Sequence, residues 1–133
     1  MRILILGGDG MVGHQLLRHF KERHDVRATL RLGREAYEAH RLFEQGSAFY
    51  GIDARQMDAL LQVIADFRPE TVVNAIGIVK QRSDAKEVIP SLEINSLLPH
   101  RLALACRTVG ARLVHVSTDC VFSGRKGNYC ETD

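Results

Sequence analysis

The chain has 133 residues, of which 45% are hydrophobic and 26% are charged, proportions typical of one soluble globular domain. A formal net charge of +2 gives no reason to expect a nucleic acid or an anionic membrane as a partner, and no apolar run approaches the length of a membrane span. Three cysteines without a C-x-x-C arrangement and six scattered histidines favour free thiols in a reducing cytoplasm over a disulfide framework or a metal site. No secretory signal is expected, because Arg2 is followed at once by a short apolar run and then by glycines.

Short apolar segments alternate along the chain with segments of helical periodicity. The apolar segments predict strands at residues 1–6, 25–30, 47–52, 71–76 and 112–116. The periodic segments predict helices at residues 13–23, 34–44 and 90–109, and another that follows Asp53, with apolar residues recurring from Met57 to Phe67. Asp53 is predicted to cap the third helix and Pro69 to end it, whereas Pro99 predicts a kink or a restart in the fourth. Residues 77–88 are predicted to form a polar loop.

This alternation predicts an α/β fold, in which right-handed crossovers build a parallel sheet covered on both faces. Five such strands suit a doubly wound, Rossmann-type sheet of order 3-2-1-4-5, with residues 1–133 forming one dinucleotide-binding domain. Ligands bind such sheets outside the carboxyl ends of the strands, where the strand order reverses. The candidate site therefore lies after the first and fourth strands.

A glycine motif, G-x-x-G-x-x-G, lies between the first predicted strand and the first predicted helix. Gly7 permits the tight turn, Gly10 leaves room for a pyrophosphate beside the backbone, and Gly13 lets the helix pack closely on the sheet. The amides of Met11 and Val12 would then face phosphate oxygens. The alternative is a glycine turn that merely joins strand to helix. Nucleotide hydrolysis is not expected, because the Gly-Lys-Ser/Thr ending of a P-loop is absent.

The residues after the second strand bear on which dinucleotide is bound. Where the adenosine ribose carries a free 2′-hydroxyl, an Asp or Glu normally ends this strand. Here Arg31 and Arg34 precede the first acid, Glu35. A guanidinium suits a 2′-phosphate, so NADP(H) is favoured as the cofactor and NAD(H) remains open. The alternative is that the arginines form a solvated basic turn.

Four segments together resemble the extended short-chain dehydrogenases/reductases, and most closely the dTDP-4-dehydrorhamnose reductase group. They are the glycine motif, D-A at residues 53–54, N-A-I-G at residues 74–77 and S-T-D-C-V-F-S-G at residues 117–124. The last segment is similar to S-T-D-Y-V-F-x-G of that group, which is followed by a stretch ending in E-T-D, as at residues 131–133 here. The resemblance spans the whole chain.

The resemblance implies positions for both halves of the cofactor. Asp53 and Ala54 would lie beside the adenine ring, although Asp53 could also serve simply as the helix cap. Ala75, Ile76 and Gly77 would border the nicotinamide half. Small residues at the carboxyl end of the fourth strand are compatible with a flat ring there.

It also implies roles nearer the substrate. Val116 would contact the nicotinamide through its backbone. Thr118 would be the catalytic hydroxyl of a Ser/Thr–Tyr–Lys triad and bind the substrate oxygen, unless it is an ordinary strand-end residue. Asn95 would support the site from behind, although Asn74 and Asn95 could both be amides that satisfy loop backbone. His115 is expected to be a packed histidine rather than a base.

Two departures widen the substrate class that the resemblance implies. Cys120 stands where the group has a tyrosine, and Ser123 stands where an acid is common. The implied function is a cytoplasmic NADP(H)-dependent oxidoreductase of a nucleotide-linked sugar, with an epimerase of the same fold left open. The full-length protein could be a homodimer.

The catalytic Tyr-x-x-x-Lys motif of the family is expected beyond Asp133. None of the three tyrosines has a lysine four residues later, the spacing that puts both side chains on one helix face. The chain is therefore expected to be a truncated part of its fold and inactive alone. From a different class, a dinucleotide-binding sensor or regulatory protein without catalysis remains open.

Overall fold

The fold is described from a computed structural model that covers residues 1–39, 43, 46–79 and 87–133, the side chain of Asp119 excepted. The strands are β1 (Arg2–Leu6), β2 (Asp25–Thr29), β3 (Ala48–Phe49), β4 (Thr71–Asn74) and β5 (Arg112–His115). The helices are α1 (Met11–Phe20), α2 (Met57–Phe67), α3 (Val88–Ser91) and α4 (Leu98–Val109). A π-helical segment, Leu92–Leu97, joins α3 to α4.

The five strands form one parallel sheet in the order β3-β2-β1-β4-β5, which confirms the predicted doubly wound, Rossmann-type fold. Leu6 at the end of β1 pairs with Thr29 on one side and with Asn74 on the other. Asn74 pairs in turn with His115 of β5. The carboxyl ends of four strands therefore lie level with one another along one edge of the sheet.

The core lies on both faces of β1, because successive side chains of a strand point to opposite faces. Leu4 and Leu6 pack with residues of α2 and α4, whereas Ile3 and Ile5 pack with Leu17 of α1 and with β2. These four apolar side chains are at most 4% exposed. This burial explains why a continuous apolar run, rather than an alternating one, forms the central strand.

Several predicted element bounds were wrong. Helix α1 begins at Met11 rather than at residue 13, and β3 spans only Ala48–Phe49. The helix predicted at residues 34–44 is a 3-10 turn over Arg34–Tyr37, and residues 40–42 and 44–45 lie outside the described residues. The Tyr37 hydroxyl accepts a hydrogen bond from the Leu32 amide, 3.2 Å away, which draws the chain back toward β2.

Where a kink or a restart is predicted at Pro99, the helical region instead changes from π to α geometry, and α4 begins at Leu98 with the proline in its first turn. A proline lacks the N–H that would continue the preceding helical hydrogen bonds. The chain accommodates it through the wider turns of the π-helical segment, which the sequence does not indicate. The helical region also starts at Val88, inside the predicted polar loop, and residues 80–86 of that loop lie outside the described residues.

Candidate functional site

The carboxyl ends of β1, β2 and β4 open onto one cleft of about 300 Å³. Its wall includes eight residues that the sequence singles out for cofactor binding: Gly7, Gly10, Arg31, Asp53, Ala54, Ala75, Ile76 and Gly77. The cleft lies where the strand order reverses between β1 and β4. This is the position at which doubly wound sheets bind ligands.

The glycine loop turns sharply out of β1 against the end of β4. Gly7 has a φ of +82°, which favours glycine, and a Cβ there would lie 2.8 Å from Cγ1 of Ile76. The Gly7 amide donates to Oγ1 of buried Thr29 at 3.2 Å, and the Gly8 amide donates to the Thr29 carbonyl at 3.0 Å. Neighbouring strands thus fix both sides of the turn.

Helix α1 begins at this loop with its first backbone amides uncapped by a side chain. Gly10 is the N-cap residue, in extended conformation, and the first turn carries no acidic residue. In any α-helix, the amides of the first turn have no partner within the helix, here those of Met11, Val12 and Gly13. Together with the helix dipole, such amides favour an anion. The Met11 and Val12 side chains are exposed and do not line the cleft.

Gly13 sets the close approach of α1 to the glycine loop. A Cβ at this position would lie 2.8 Å from the carbonyl carbon of Gly7 and nearer still to its oxygen. Both atoms belong to the backbone, so neither can move aside cheaply. Gly13 therefore fixes where the helix N-terminus faces the cleft.

An acid and a cation of opposite charge line the cleft near the exit of β2. Arg31 is exposed and makes no hydrogen bond or ion pair within residues 1–39, 46–79 and 87–133. Asp9 comes from the glycine loop, and its Oδ2 accepts a hydrogen bond of 2.6 Å from the hydroxyl of Tyr37. Burial raises the pKa of Tyr37, and the carboxylate of Asp9 raises it further.

The predicted helix cap at Asp53 was wrong. The N-cap residue of α2 is Gln56, and no side-chain hydrogen bond caps the helix. Asp53 Oδ1 instead accepts from the Arg55 amide at 2.9 Å, and its carboxylate forms an ion pair with the Arg55 guanidinium. The side-chain hydrogen bond from Arg55 lowers the pKa of Asp53, so this acid carries its own counter-charge at the cleft wall.

Two asparagines hold the backbone that follows β4. Asn74 is fully buried, and its Oδ1 accepts from the Ile76 amide at 3.1 Å. Asn95, in the π-helical segment, accepts from the Ile78 amide at 2.9 Å and donates to the Ile78 carbonyl at 3.0 Å. These contacts confirm Asn74 as a buried amide that satisfies loop backbone, whereas Asn95 satisfies loop backbone from an exposed position. They also place Asn95 directly behind the cleft wall at Ile78.

The residues after β5 lie apart from the cleft. Val116 is 40% exposed, and its amide donates to the Asn74 carbonyl at 3.0 Å. Thr118 is exposed, and its Oγ1 accepts from the Cys120 amide at 3.2 Å. Neither belongs to the cleft wall. The expectation of a packed His115 was wrong, because β5 ends the sheet and leaves that side chain exposed, with Nδ1 3.1 Å from Nδ2 of Asn74.

Sequence reasoning missed several residues of the cleft wall, which are Asp9, Thr29, Ile52, Arg55, Ile78, Pro90 and Ile94. Asp9 and Thr29 could have been found, because one lies within the glycine motif and the other ends the second strand. Pro90 and Ile94 could not, since the helical region that carries them returns to the sheet edge through residues of no distinctive pattern. In the described part of the chain there is no cluster of metal-ligating side chains and no helix long and apolar enough to cross a membrane.

The fold and the cleft define a Rossmann-type α/β domain with its site at the switch point. Over residues 1–133 the sequence matches the family described as RmlD substrate binding domain, and the chain belongs to this family. The resemblance to dTDP-4-dehydrorhamnose reductases is thereby confirmed.

Individual relatives carry two different names. The dTDP-4-dehydrorhamnose reductase of Streptomyces griseus is 32% identical over 126 residues, which are 95% of this chain and 36% of that protein. The methionine adenosyltransferase 2 subunit beta of Mus musculus is 27% identical over 136 residues, covering 99% of this chain and 36% of that protein. This chain therefore spans little more than a third of the curated relatives that it matches.

Solved structures agree with the fold over nearly the whole chain. A hypothetical dTDP-4-dehydrorhamnose reductase from Sulfolobus tokodaii has a TM-score of 0.81 and 30% identity, covering 100% of this chain and 45% of that one. The Bacillus anthracis dTDP-4-dehydrorhamnose reductase, in complex with NADP, has a TM-score of 0.71 and 26% identity, with coverages of 95% and 39%. The Thermus thermophilus UDP-glucose 4-epimerase, in complex with NAD, has a TM-score of 0.73 and 26% identity, with coverages of 89% and 38%.

Proposed function

We propose that residues 1–133 form the NADP(H)-binding part of a cytoplasmic oxidoreductase that acts on a nucleotide-linked sugar. One observation carries the proposal: the glycine loop and the uncapped N-terminus of α1 meet the cleft at the switch point of the sheet. A phosphate group needs such a combination of close backbone approach and converging amides. The family membership and the NADP- and NAD-bound neighbours support it further.

The glycine loop lies between two halves of the cleft, one proposed for the adenosine and one for the nicotinamide. In the proposed complex the pyrophosphate lies against Gly10 and the amides of Met11 and Val12. The adenosine half extends toward Arg31 and the 53–54 segment, and the nicotinamide half toward residues 75–77. Ala75 and Gly77 are small residues, which is compatible with a flat ring against that wall.

The choice of NADP(H) rests on Arg31. Its guanidinium lines the cleft and has no hydrogen-bonding partner among the described residues, so it is available to a 2′-phosphate. A charge-assisted contact of this kind contributes about 1.5–3 kcal/mol, or roughly ten- to a hundredfold in affinity. Arg31→Ala is expected to remove most of the preference for NADPH over NADH, as measured by titration calorimetry with each cofactor.

The reaction would be the transfer of a hydride between the cofactor and a carbonyl carbon of the sugar, which is the chemistry that the nicotinamide supplies. Within this chain, Val116 would meet the nicotinamide through its backbone and Thr118 would orient the substrate oxygen. The proton would come from the tyrosine of a Tyr-x-x-x-Lys pair, which this sequence does not contain. We infer that the pair lies in the further length that the relatives have, and that this chain alone is inactive.

The test compares the full-length protein with a fragment of residues 1–133 in an NADPH oxidation assay on a panel of nucleotide-linked 4-keto sugars. The full-length protein should turn over at least one of them and the fragment none. Losing a general acid costs about 10²–10⁴-fold, so turnover by the fragment at more than about a hundredth of the full-length rate would contradict the assignment of roles. Absence of turnover by the full-length protein on every sugar would overturn the proposed reaction.

A second candidate is a dinucleotide-binding subunit without catalysis, favoured by the matches to a methionine adenosyltransferase subunit. An epimerase of the same fold is the third, favoured by the likeness to a UDP-glucose 4-epimerase. A full-length protein that binds NADPH but lacks a Tyr-x-x-x-Lys pair would point to the subunit. Net conversion of a sugar epimer without net oxidation of cofactor would point to the epimerase.

A further inference from the structure

Asp9 of the glycine loop is held in position by Tyr37, which lies in the 3-10 turn that follows β2. Asp9 Oδ2 accepts a hydrogen bond of 2.6 Å from the hydroxyl of Tyr37, which lies 28 positions later in the chain. Tyr37 is itself 8% exposed and packs edge-on against Phe43 at a ring-centroid distance of 5.4 Å. The same hydroxyl accepts from the Leu32 amide at 3.2 Å. The tyrosine is thus held firmly and presents one fixed donor to the carboxylate.

At this end of the cleft two charged side chains form an ion pair with each other, and two others have no ion-pair partner among the described residues. Asp53 is already paired with Arg55, so neither contributes an uncompensated charge. Asp9 and Arg31 both line the cleft, and the Tyr37 hydroxyl donates to Asp9 while it accepts from the amide of Leu32, the residue after Arg31. They therefore lie near the same point of the cleft wall. Among the described residues neither has an ion-pair partner, and Asp9 keeps its second carboxylate oxygen free of protein donors.

We propose that Asp9, positioned by Tyr37, is the acid that binds the adenosine ribose hydroxyls, and that its balance with Arg31 sets the ratio of NADPH to NADH affinity. β2 ends without an acid, so the glycine loop supplies the carboxylate from another direction. A carboxylate accepts from a ribose diol and repels a 2′-phosphate, whereas a guanidinium does the reverse. The protein is accordingly expected to bind both cofactors, with a ratio of NADPH to NADH affinity smaller than Arg31 alone would give.

This inference rests on the proposed dinucleotide site, and the test separates the two. Titration calorimetry with NADPH and with NADH is carried out on the full-length protein and on Asp9→Asn, in which the amide oxygen still accepts from Tyr37. The variant should bind NADH roughly tenfold more weakly and NADPH several-fold more tightly, because the acceptor is weakened and the like charge is gone. Asp25→Asn, an exposed acid at the opposite end of β2, is the control for net charge and should change neither affinity.

Tyr37→Phe tests the positioning step. It leaves the charge of Asp9 in place but removes its fixed donor, so NADH affinity should fall several-fold while NADPH affinity changes less. Thermal unfolding of the variant, followed by circular dichroism, checks that Tyr37→Phe remains folded. If both cofactors bind and Asp9→Asn leaves their affinity ratio within twofold of that of the parent, the inference is wrong and the site stands. If neither cofactor binds the parent protein, the proposed function itself fails.

Discussion

The start of the chain and its end form strands of the same parallel sheet, yet they meet very different surroundings. Leu4, Ile5 and Leu6 of β1 are completely buried, whereas Val114 of β5 and Val116 after it are each 40% exposed. Both segments are short and mainly apolar, although His115 interrupts the apolar residues of β5. Their places in the sheet separate them, because β1 is central and β5 lies at the edge.

The same contrast applies to the site. The glycine loop after β1 is fixed by hydrogen bonds from its amides to the carbonyl and the hydroxyl of Thr29 in β2, and by close contact with the residues after β4. The segment after β5 carries Thr118 in an exposed turn outside the cleft wall. The residues proposed to bind the cofactor are therefore held in place within this chain, whereas the residue proposed to bind the substrate is exposed.

The largest difference between the two regions should appear on shortening a strand residue. Leu6→Ala removes a fully buried side chain beside α2 and is expected to lower the free energy of unfolding by about 2–5 kcal/mol. Val114→Ala should cost less than about 0.5 kcal/mol, because its side chain is already partly in water. Urea unfolding of a chain of residues 1–133 measures both losses. Equal losses would show that β5 is as well buried as β1 and would contradict the contrast.

A smaller loss of stability, which a matched control isolates, is expected from a substitution at the start of α1, beside the glycine loop. Gly13→Ala places a Cβ against the carbonyl group of Gly7 and should lower the free energy of unfolding by about 3 kcal/mol. The matched control is Gly77→Ala, whose Cβ would meet, among the described residues, only Oδ1 of Asn95 at 3.7 Å, an ordinary contact. The control should unfold within about 0.5 kcal/mol of the parent. Similar losses for the two would contradict the close helix approach.

The hydrogen bonds of Asn95 behind the cleft wall should contribute less to the free energy of unfolding than the close approach at Gly13. Asn95→Ala removes both hydrogen bonds to the backbone of Ile78 and is expected to lower the free energy of unfolding by about 1–2 kcal/mol. Since these bonds hold the wall at residues 76–78, dinucleotide affinity should also fall. Asn95→Asp keeps the acceptor for the Ile78 amide and should recover part of both losses. No change in either quantity would show that the loop holds itself without Asn95.

The smallest effect concerns the ion pair at the cleft wall. The pKa of Asp53 is lowered in the folded protein, chiefly by the side chain of Arg55. Its contribution to stability is therefore present above the ordinary value of 3.8 and is lost as the pH falls through the lowered value. Asp53→Asn should destabilise by less than about 1 kcal/mol at pH 7, with the difference from the parent shrinking below pH 4. Asp25→Asn is the control, and a difference that grows toward low pH would reverse the assigned sign.

The contrast between the two regions also explains what the sequence could predict. The strand order and the glycine loop follow from local signals, since an unbroken apolar run and three spaced glycines each have few structural solutions. The pairing of Asp9 with Tyr37 joins residues 28 positions apart, through a 3-10 turn where helical periodicity predicted an α-helix. The exposure of His115 depends on what packs outside β5, which alternation along that strand cannot reveal. Local patterns therefore predicted the centre of the sheet and misjudged its edge.

The central claim is that the cleft at the glycine loop binds a nicotinamide dinucleotide, and titration calorimetry of Gly10→Val against NADPH tests it most directly. The substitution puts a branched side chain where the pyrophosphate would lie, while a Cβ at this position meets only the Gly7 carbonyl oxygen, at 3.3 Å, within the part of the chain that the structure describes. The full-length variant should stay folded by circular dichroism and bind NADPH more than tenfold more weakly than the parent, a loss of at least about 1.4 kcal/mol. A folded variant with unchanged affinity would place the dinucleotide elsewhere and contradict the account.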